Sequence, residues 1–315
     1  MKIVYTILAA SILFASCGQY QKSKSGLVYK ITRGNGKEKL KVGQFVIFNF
    51  EYKGGPKDSV LTSTFGHLPA VFPVDTSGRV RYSFVELFPL CSIGDKINFA
   101  LSTDTLRKLG NTLPDDPAFA PKSFIKGRVE IINAFNNQQD VQQYMQKESD
   151  NERQREIKEI ENYLAKKNIK AQKTENGVFV EIANAGNGAK IDSGKQASVF
   201  YTGTILSTGK EFDSNIKNGV KQQPFKFVVG QRQVIPGWEE GIKYFAQGGK
   251  GKLYIPAMLA YGQQAHPPVM PAYSNLIFDI EVDSVTTAPA LVAHPAVKTP
   301  IILPQQHHPI APAHK

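Results

Sequence analysis

Cysteine is almost absent from this 315-residue chain: Cys17 closes a leader-like apolar segment, and Cys91 is then left without a partner. A disulfide framework and a redox site both lack residues, and Cys91, with Leu90 and Ile93 around it, reads as a small buried side chain. Trp238 is the single tryptophan. The apolar segment from Ile3 to Phe14 is too short to cross a bilayer as a permanent helix. Four of the six histidines, His294, His307, His308 and His314, fall in a Pro- and Ala-rich tail. Their spacing is irregular and neither cysteine nor carboxylate joins them, so no metal or cofactor is expected. Gly248 to Lys252 is glycine-rich but lacks the Gly-Lys-Ser/Thr ending of a phosphate loop. The net charge of +11 comes from lysines interleaved with glutamates through both halves, which points away from nucleic acid.

What is present is enough apolar material, 41% of the residues, for two sizeable cores, and an internal repeat supplies both. Gly177-Val178-Phe179-Val180-Glu181-Ile182, followed by Gly186-Asn187-Gly188, is matched by Gly26-Leu27-Val28-Tyr29-Lys30-Ile31, followed by Gly34-Asn35-Gly36. Further on, Val46, Phe48 and Phe50 alternate as Ala197, Val199 and Tyr201 do, the period of a half-buried strand. Between the halves, Asp140 to Lys167 is free of Gly and Pro and rich in Gln, Glu, Lys and Arg, which predicts one helix of about 42 Å. Its apolar residues cluster at the two ends, so the charged middle is expected to be a solvated arm.

Pro236-Gly237 predicts a turn into a short helix with Trp238 in its first turn. The stretch from about Gly194 to Val285 resembles the FKBP-type peptidyl-prolyl cis-trans isomerases along essentially its whole length. The blocks that carry the resemblance are VFYTG (Val199 to Gly203), KEFDS (Lys210 to Ser214), PFKFVVG (Pro224 to Gly230), QVIPGWEEGI (Gln233 to Ile242), AYG (Ala260 to Gly262), HP (His266, Pro267) and LIFDIEV (Leu276 to Val282). The resemblance puts Tyr201, Phe212, Asp213, Phe225, Val234, Ile235, Trp238, Tyr261, His266 and Phe278 at the family's pocket positions, with Met270, beside Val269, as a further apolar residue. It implies that Trp238, Phe225, Phe278 and Tyr201 hold a prolyl ring, that the Ile235 N–H and the Tyr261 hydroxyl hold the flanking carbonyls, and that Asp213 orients the rim. Taken singly, the aromatics read as core packing and His266 as a surface residue.

The expected fold is α+β: two domains similar to this family, each an antiparallel curved sheet wrapped on a short helix, joined by a long helix. The expected boundaries are a signal peptide over 1–16, a lipidated tether over 17–25, a degenerate domain over 26–136, a helical linker over 137–171, a catalytic domain over 172–285 and a disordered tail over 286–315. The first copy lacks an FDS block, a Trp at the place of Trp238 and an AYG block, so it reads as a client or partner module, or a spacer. The leading functional reading is a prolyl isomerase acting on proline-containing polypeptides and open to macrolide inhibitors; the other is a prolyl-binding chaperone module. Dimerisation along the helix, a device of similar bacterial isomerases, is left open. Ala15-Ser16-Cys17 resembles a bacterial lipobox, with Cys17 as the lipidation site. By that similarity the protein is expected to be exported and membrane-anchored in the cell envelope, at the outer membrane facing the periplasm, with plain secretion as the alternative.

Overall fold

Apolar alternation builds the same sheet twice. The computed structural model describes residues 19–77, 81–264 and 269–288. Cys17, His266 and the tail histidines lie outside the described residues. The described chain divides into two units, one up to Gln142 and one from Gln143 onward.

In the first unit the strands are β1 (Gln21–Lys22), β2 (Val28–Thr32), β3 (Phe45–Gly54), β4 (Ser59–Ser63), β5 (Ala70–Pro73), β6 (Lys96–Ser102) and β7 (Phe124–Phe135), paired in the order β1-β2-β6-β7-β3-β4 with β5 beside β4 on β3. Every pairing is antiparallel. One face of the sheet presents Val46, Phe48, Ile97, Phe99, Val129 and Ile131, and the 3-10 helix Phe84–Leu90 covers it with Phe84, Leu87 and Phe88. A short helix α1 (Thr103–Lys108) follows β6, its first turn capped by the Ser102 hydroxyl. The segment read as a tether is already structured from Gln21, which pairs with Tyr29, and Ser25 donates to Glu86 at 2.7 Å.

Helix α2 (Gln138–Lys167) leads into the second unit. There β8 (Gln172–Lys173), β9 (Phe179–Asn184), β10 (Lys195–Ile205), β11 (Glu211–Ser214), β14 (Phe225–Val228), β15 (Lys250–Ile255) and β16 (Leu276–Thr287) pair in the order β8-β9-β15-β16-β10-β11, with β14 also on β10. This is the order of the first unit strand for strand. A separate hairpin, β12 (Ile216–Lys217) with β13 (Val220–Lys221), follows β11. Helix α3 (Pro236–Gly241) lies on β15, and only glycine permits the approach: a Cβ on Gly237 would sit 2.3 Å from Ile255 Cγ2, and one on Gly241 2.7 Å from Leu253 Cδ2.

At Glu152 and Glu156 the charged middle of α2 is not a solvated arm, while its apolar C-terminal end is anchored as expected. Ile157, Ile160 and Leu164 recur at helical spacing and are buried against Phe179 and Tyr254. The start of strand β9 is therefore covered on both faces, Val178 and Val180 by the core and Phe179 by the helix, which explains the apolar run Val178-Phe179-Val180. Glu152 and Glu156, which the charge pattern placed in water, are 2% and 3% exposed.

Candidate active site

The middle strand β10 sets the pocket, because its neighbours change along its length. β14 pairs with Gln196 to Val199 and β11 with Thr202 to Thr204, leaving Tyr201 between them. Asn215 bridges the gap: its side chain accepts from the Tyr201 N–H at 2.8 Å and donates to the Val199 carbonyl at 2.9 Å. Tyr201 is thus held with its ring toward α3. Trp238, 4% exposed, meets it edge-on at 5.3 Å, and meets Phe278 at 5.2 Å and Phe225 at 6.3 Å, all within two degrees of perpendicular. Such edge-to-face contacts set the positive ring edge against the negative face of its partner. Phe212 extends the wall, 5.6 Å from Phe278 and 6.5 Å from Tyr261.

The rim is polar at one point. The Tyr201 hydroxyl donates to the Asp213 carboxylate at 2.6 Å. Burial, then this hydrogen bond and the carboxylate's charge, push the Tyr201 phenol far above its ordinary range. Burial likewise raises the Tyr261 phenol, with Asp213 adding to it. Both hydroxyls stay protonated at neutral pH, and that of Tyr201 gives its one hydrogen to Asp213. The Ile235 N–H finds no acceptor among the described residues, and neither does the buried indole N–H of Trp238. Val234 and Ile235 pack against the core cluster from the loop before α3, and Glu239 fixes that loop by accepting from the Gly230 and Arg232 amides. Met270 is buried in the same cluster, whereas Val269 is exposed.

The structure therefore links Tyr201, Phe212, Asp213, Phe225, Trp238, Tyr261 and Phe278 by ring contacts and one hydrogen bond, with Val234 and Ile235 packed against the same core cluster. Sequence reasoning missed Phe227, which packs on Trp238 at 5.8 Å, Asn215, and Gly203, where a Cβ would lie 2.7 Å from the Phe212 ring and 3.0 Å from Phe278. The glycine was visible at the end of the VFYTG block; that it clears room for two rings was not.

The first unit fills the corresponding space. By strand register Tyr52 stands where Gly203 does, Thr62 where Asp213 does, Ala70 where Phe225 does, and Gly127 where Phe278 does. Phe84 takes the place of Trp238, 6.2 Å from Phe50. The Tyr52 and Phe99 rings meet edge-on at 5.6 Å, and Phe99 lies so close over Gly127 that a Cβ there would be 2.0 Å from it.

The family model for FKBP-type peptidyl-prolyl cis-trans isomerases matches residues 188–283. FK506-binding protein 2 of Dictyostelium discoideum is 44% identical over 93 residues, 30% of this chain and 67% of that protein. The 46 kDa FK506-binding nuclear protein of Spodoptera frugiperda is 38% identical over 109 residues, 35% of this chain and 26% of that protein. Among solved structures, FkpA from Escherichia coli is similar at 33% identity, covering 47% of this chain and 68% of that one with a TM-score of 0.37. The chain spans between 20% and 28% of the length of four longer curated relatives. These relatives also correct the envelope localisation expected from residues 1–17: they come from Rhizopus delemar, Spodoptera frugiperda, Dictyostelium discoideum and Gibberella zeae, all eukaryotes, and one is named a nuclear protein.

Proposed function

The chain belongs to the FKBP-type peptidyl-prolyl cis-trans isomerase family, and from that premise we propose that it catalyses isomerisation of X-Pro bonds in polypeptide clients, with the chemistry confined to the second unit. The observation that carries the reading is the meeting of the Tyr201, Phe225, Trp238 and Phe278 rings around an apolar floor with the Tyr201–Asp213 hydrogen bond at its rim.

An X-Pro amide resists rotation because resonance keeps the C–N bond planar, at a barrier of about 18–20 kcal/mol. Uncatalysed exchange therefore takes tens to hundreds of seconds. Rotation breaks no covalent bond, so the protein needs only to bind the twisted amide better than the planar one. A pocket lined by rings strips water from the planar, charge-separated form, while the twisted form, which has lost that resonance, gives up less. The Ile235 N–H and the Tyr261 hydroxyl hold the carbonyls that flank the ring. Asp213 keeps the Tyr201 ring in place rather than taking a proton. Each 1.4 kcal/mol of preference for the twisted amide is about tenfold in rate.

The test uses the full chain on a short X-Pro peptide and on a proline-limited refolding reaction, with rapamycin as competitor. Wild type accelerates both; Asp213→Val, which leaves the Tyr201 hydroxyl without its acceptor, lowers kcat/KM by about 10- to 100-fold. Binding of proline peptides without acceleration would replace the enzyme reading by a prolyl-binding chaperone module.

A further inference from the structure

Under the pocket wall lies a polar seam between α2 and the 3-10 turn Ala257–Leu259. The first amides of such a turn have no partner within it. Here both are met from outside: the Ala257 N–H donates to Asn275 Oδ1 at 2.9 Å, and the Met258 N–H donates to Glu156 Oε2 at 2.8 Å, across 102 residues of chain. Asn275 is in turn held by α2, its Nδ2 donating to Glu159 Oε2 at 2.9 Å. The turn passes the constraint on, since the Ala257 carbonyl accepts from the amides of Ala260 and Gly262, which bracket Tyr261, at 2.9 and 2.8 Å. Glu156 lies one helical position from Ile157 on the buried face of α2, and its Oε1 has no partner among the described residues. Burying a carboxylate half-satisfied is costly, and a hydrophobic residue would anchor the helix better if anchoring were its whole role.

We infer that Glu156 is a positioning residue for the isomerase pocket: through the Met258 amide, and with Glu159 acting through Asn275, the linker helix fixes the turn that presents Tyr261. The inference rests on the isomerase reading of that pocket. A helix lying outside the matched residues 188–283 then belongs to the working parts of the enzyme.

Two variants of the full chain test it, Glu156→Ala and Glu156→Gln, both checked for folding by Trp238 fluorescence. Amide exchange followed by mass spectrometry is the first readout. In Glu156→Ala, exchange over Met258 to Gly262 rises at least about tenfold, while β10 and β16 keep their protection. Peptide isomerisation is the second: kcat/KM falls by about tenfold in Glu156→Ala. Glu156→Gln, which retains an acceptor for Met258, restores both. Unchanged exchange and rate in Glu156→Ala overturn the inference, and so does uniform loss of protection across the unit, which would make Glu156 a stability residue only. A wild-type chain without isomerase activity sinks the isomerase reading instead, and the exchange experiment still decides whether Glu156 holds the turn.

Discussion

Replacing Glu156 by Gln should remove a pH dependence of stability from the second unit. Burial pushes this carboxyl up from 4.5 to about 7; the Met258 N–H pulls it down, the charges of Glu152 and Glu159 push it further up, and Arg155 opposes them. The turn and strand across the seam present the Met258 amide and the uncharged carboxamide of Asn275. Between pH 4.5 and about 7 the folded chain holds a proton that the unfolded chain has released. The contribution to stability is therefore full below 4.5, is lost as pH rises through about 7, and stays lost above it. Over the whole window the loss is about 3 kcal/mol, of which about 2.5 falls between pH 5 and pH 8. Gln keeps an acceptor for Met258 and carries no charge, so the variant gains on wild type by that amount at pH 8 and little at pH 5. Urea unfolding followed by fluorescence reads this unit alone, because Trp238 is the only tryptophan. At a slope of about 2 kcal/mol/M the pH 8 midpoints separate by more than about 1 M. Charges common to both proteins cancel in the difference. Parallel curves of stability against pH for the two proteins would refute the reasoning, because the titrating group would then lie elsewhere.

Gly237→Ala should cost about 1–3 kcal/mol, since its Cβ would sit 2.3 Å from Ile255 Cγ2 and push α3 off β15. The same fluorescence titration measures it, and an unchanged midpoint would mean that α3 shifts freely. Ile160→Ala, at a fully buried position against Tyr254, should cost about 2–5 kcal/mol; a cost under about 0.5 kcal/mol would mean that α2 is not anchored on Tyr254. For the same reason a fragment begun at residue 172 should bind a hydrophobic dye that one begun at 143 does not, because removing α2 uncovers Phe179 and Tyr254.

That these side chains meet was legible because they lie in short blocks whose spacing survives on the chain: Tyr201 to Gly203, Phe212 with Asp213, Ile235 to Trp238. Strand alternation was legible for a similar reason, since a period of two needs only near neighbours. The seam under α2 was not, because it joins Glu156 to Met258 and Glu159 to Asn275, contacts that no local pattern encodes. Charge was read as exposure, which holds for most glutamates and fails where a carboxylate meets an unpaired backbone N–H. A sign was available in the repeat. The register that pairs Phe179 with Tyr254 in the second unit pairs Val28 with Ala100 in the first, so the copy carries small side chains where the helix-covered sheet carries two rings. Bulk on a face expected to be outward marks something that covers it.

Comparison of the two units separates what specifies the fold from what specifies the pocket. Both keep the glycines where backbones touch: a Cβ on Gly34 would lie 2.2 Å from the Gly94 carbonyl oxygen, and one on Gly186 2.6 Å from that of Ala246. Both keep a long middle strand that hands over from one edge partner to the next, with a side chain, Thr64 or Asn215, bonded to the amide in the gap. These features suffice for the seven-stranded order in each. The pocket needs something further, a vacancy with rings around it, and the vacancy depends on where the large side chains sit on neighbouring strands. With glycine on β10 and phenylalanine on β16, the Phe212 and Phe278 rings meet over Gly203; with Tyr52 on β3 and Gly127 on β7, the ring of Phe99 lies over the glycine and Tyr52 packs against it. Aromatic content is kept, but the Tyr52 and Phe99 rings pack on each other over Gly127. Opening the first unit would therefore take at least Tyr52→Gly together with loss of the Phe99 ring, and even then Thr62 at the place of Asp213 would leave its rim without a carboxylate.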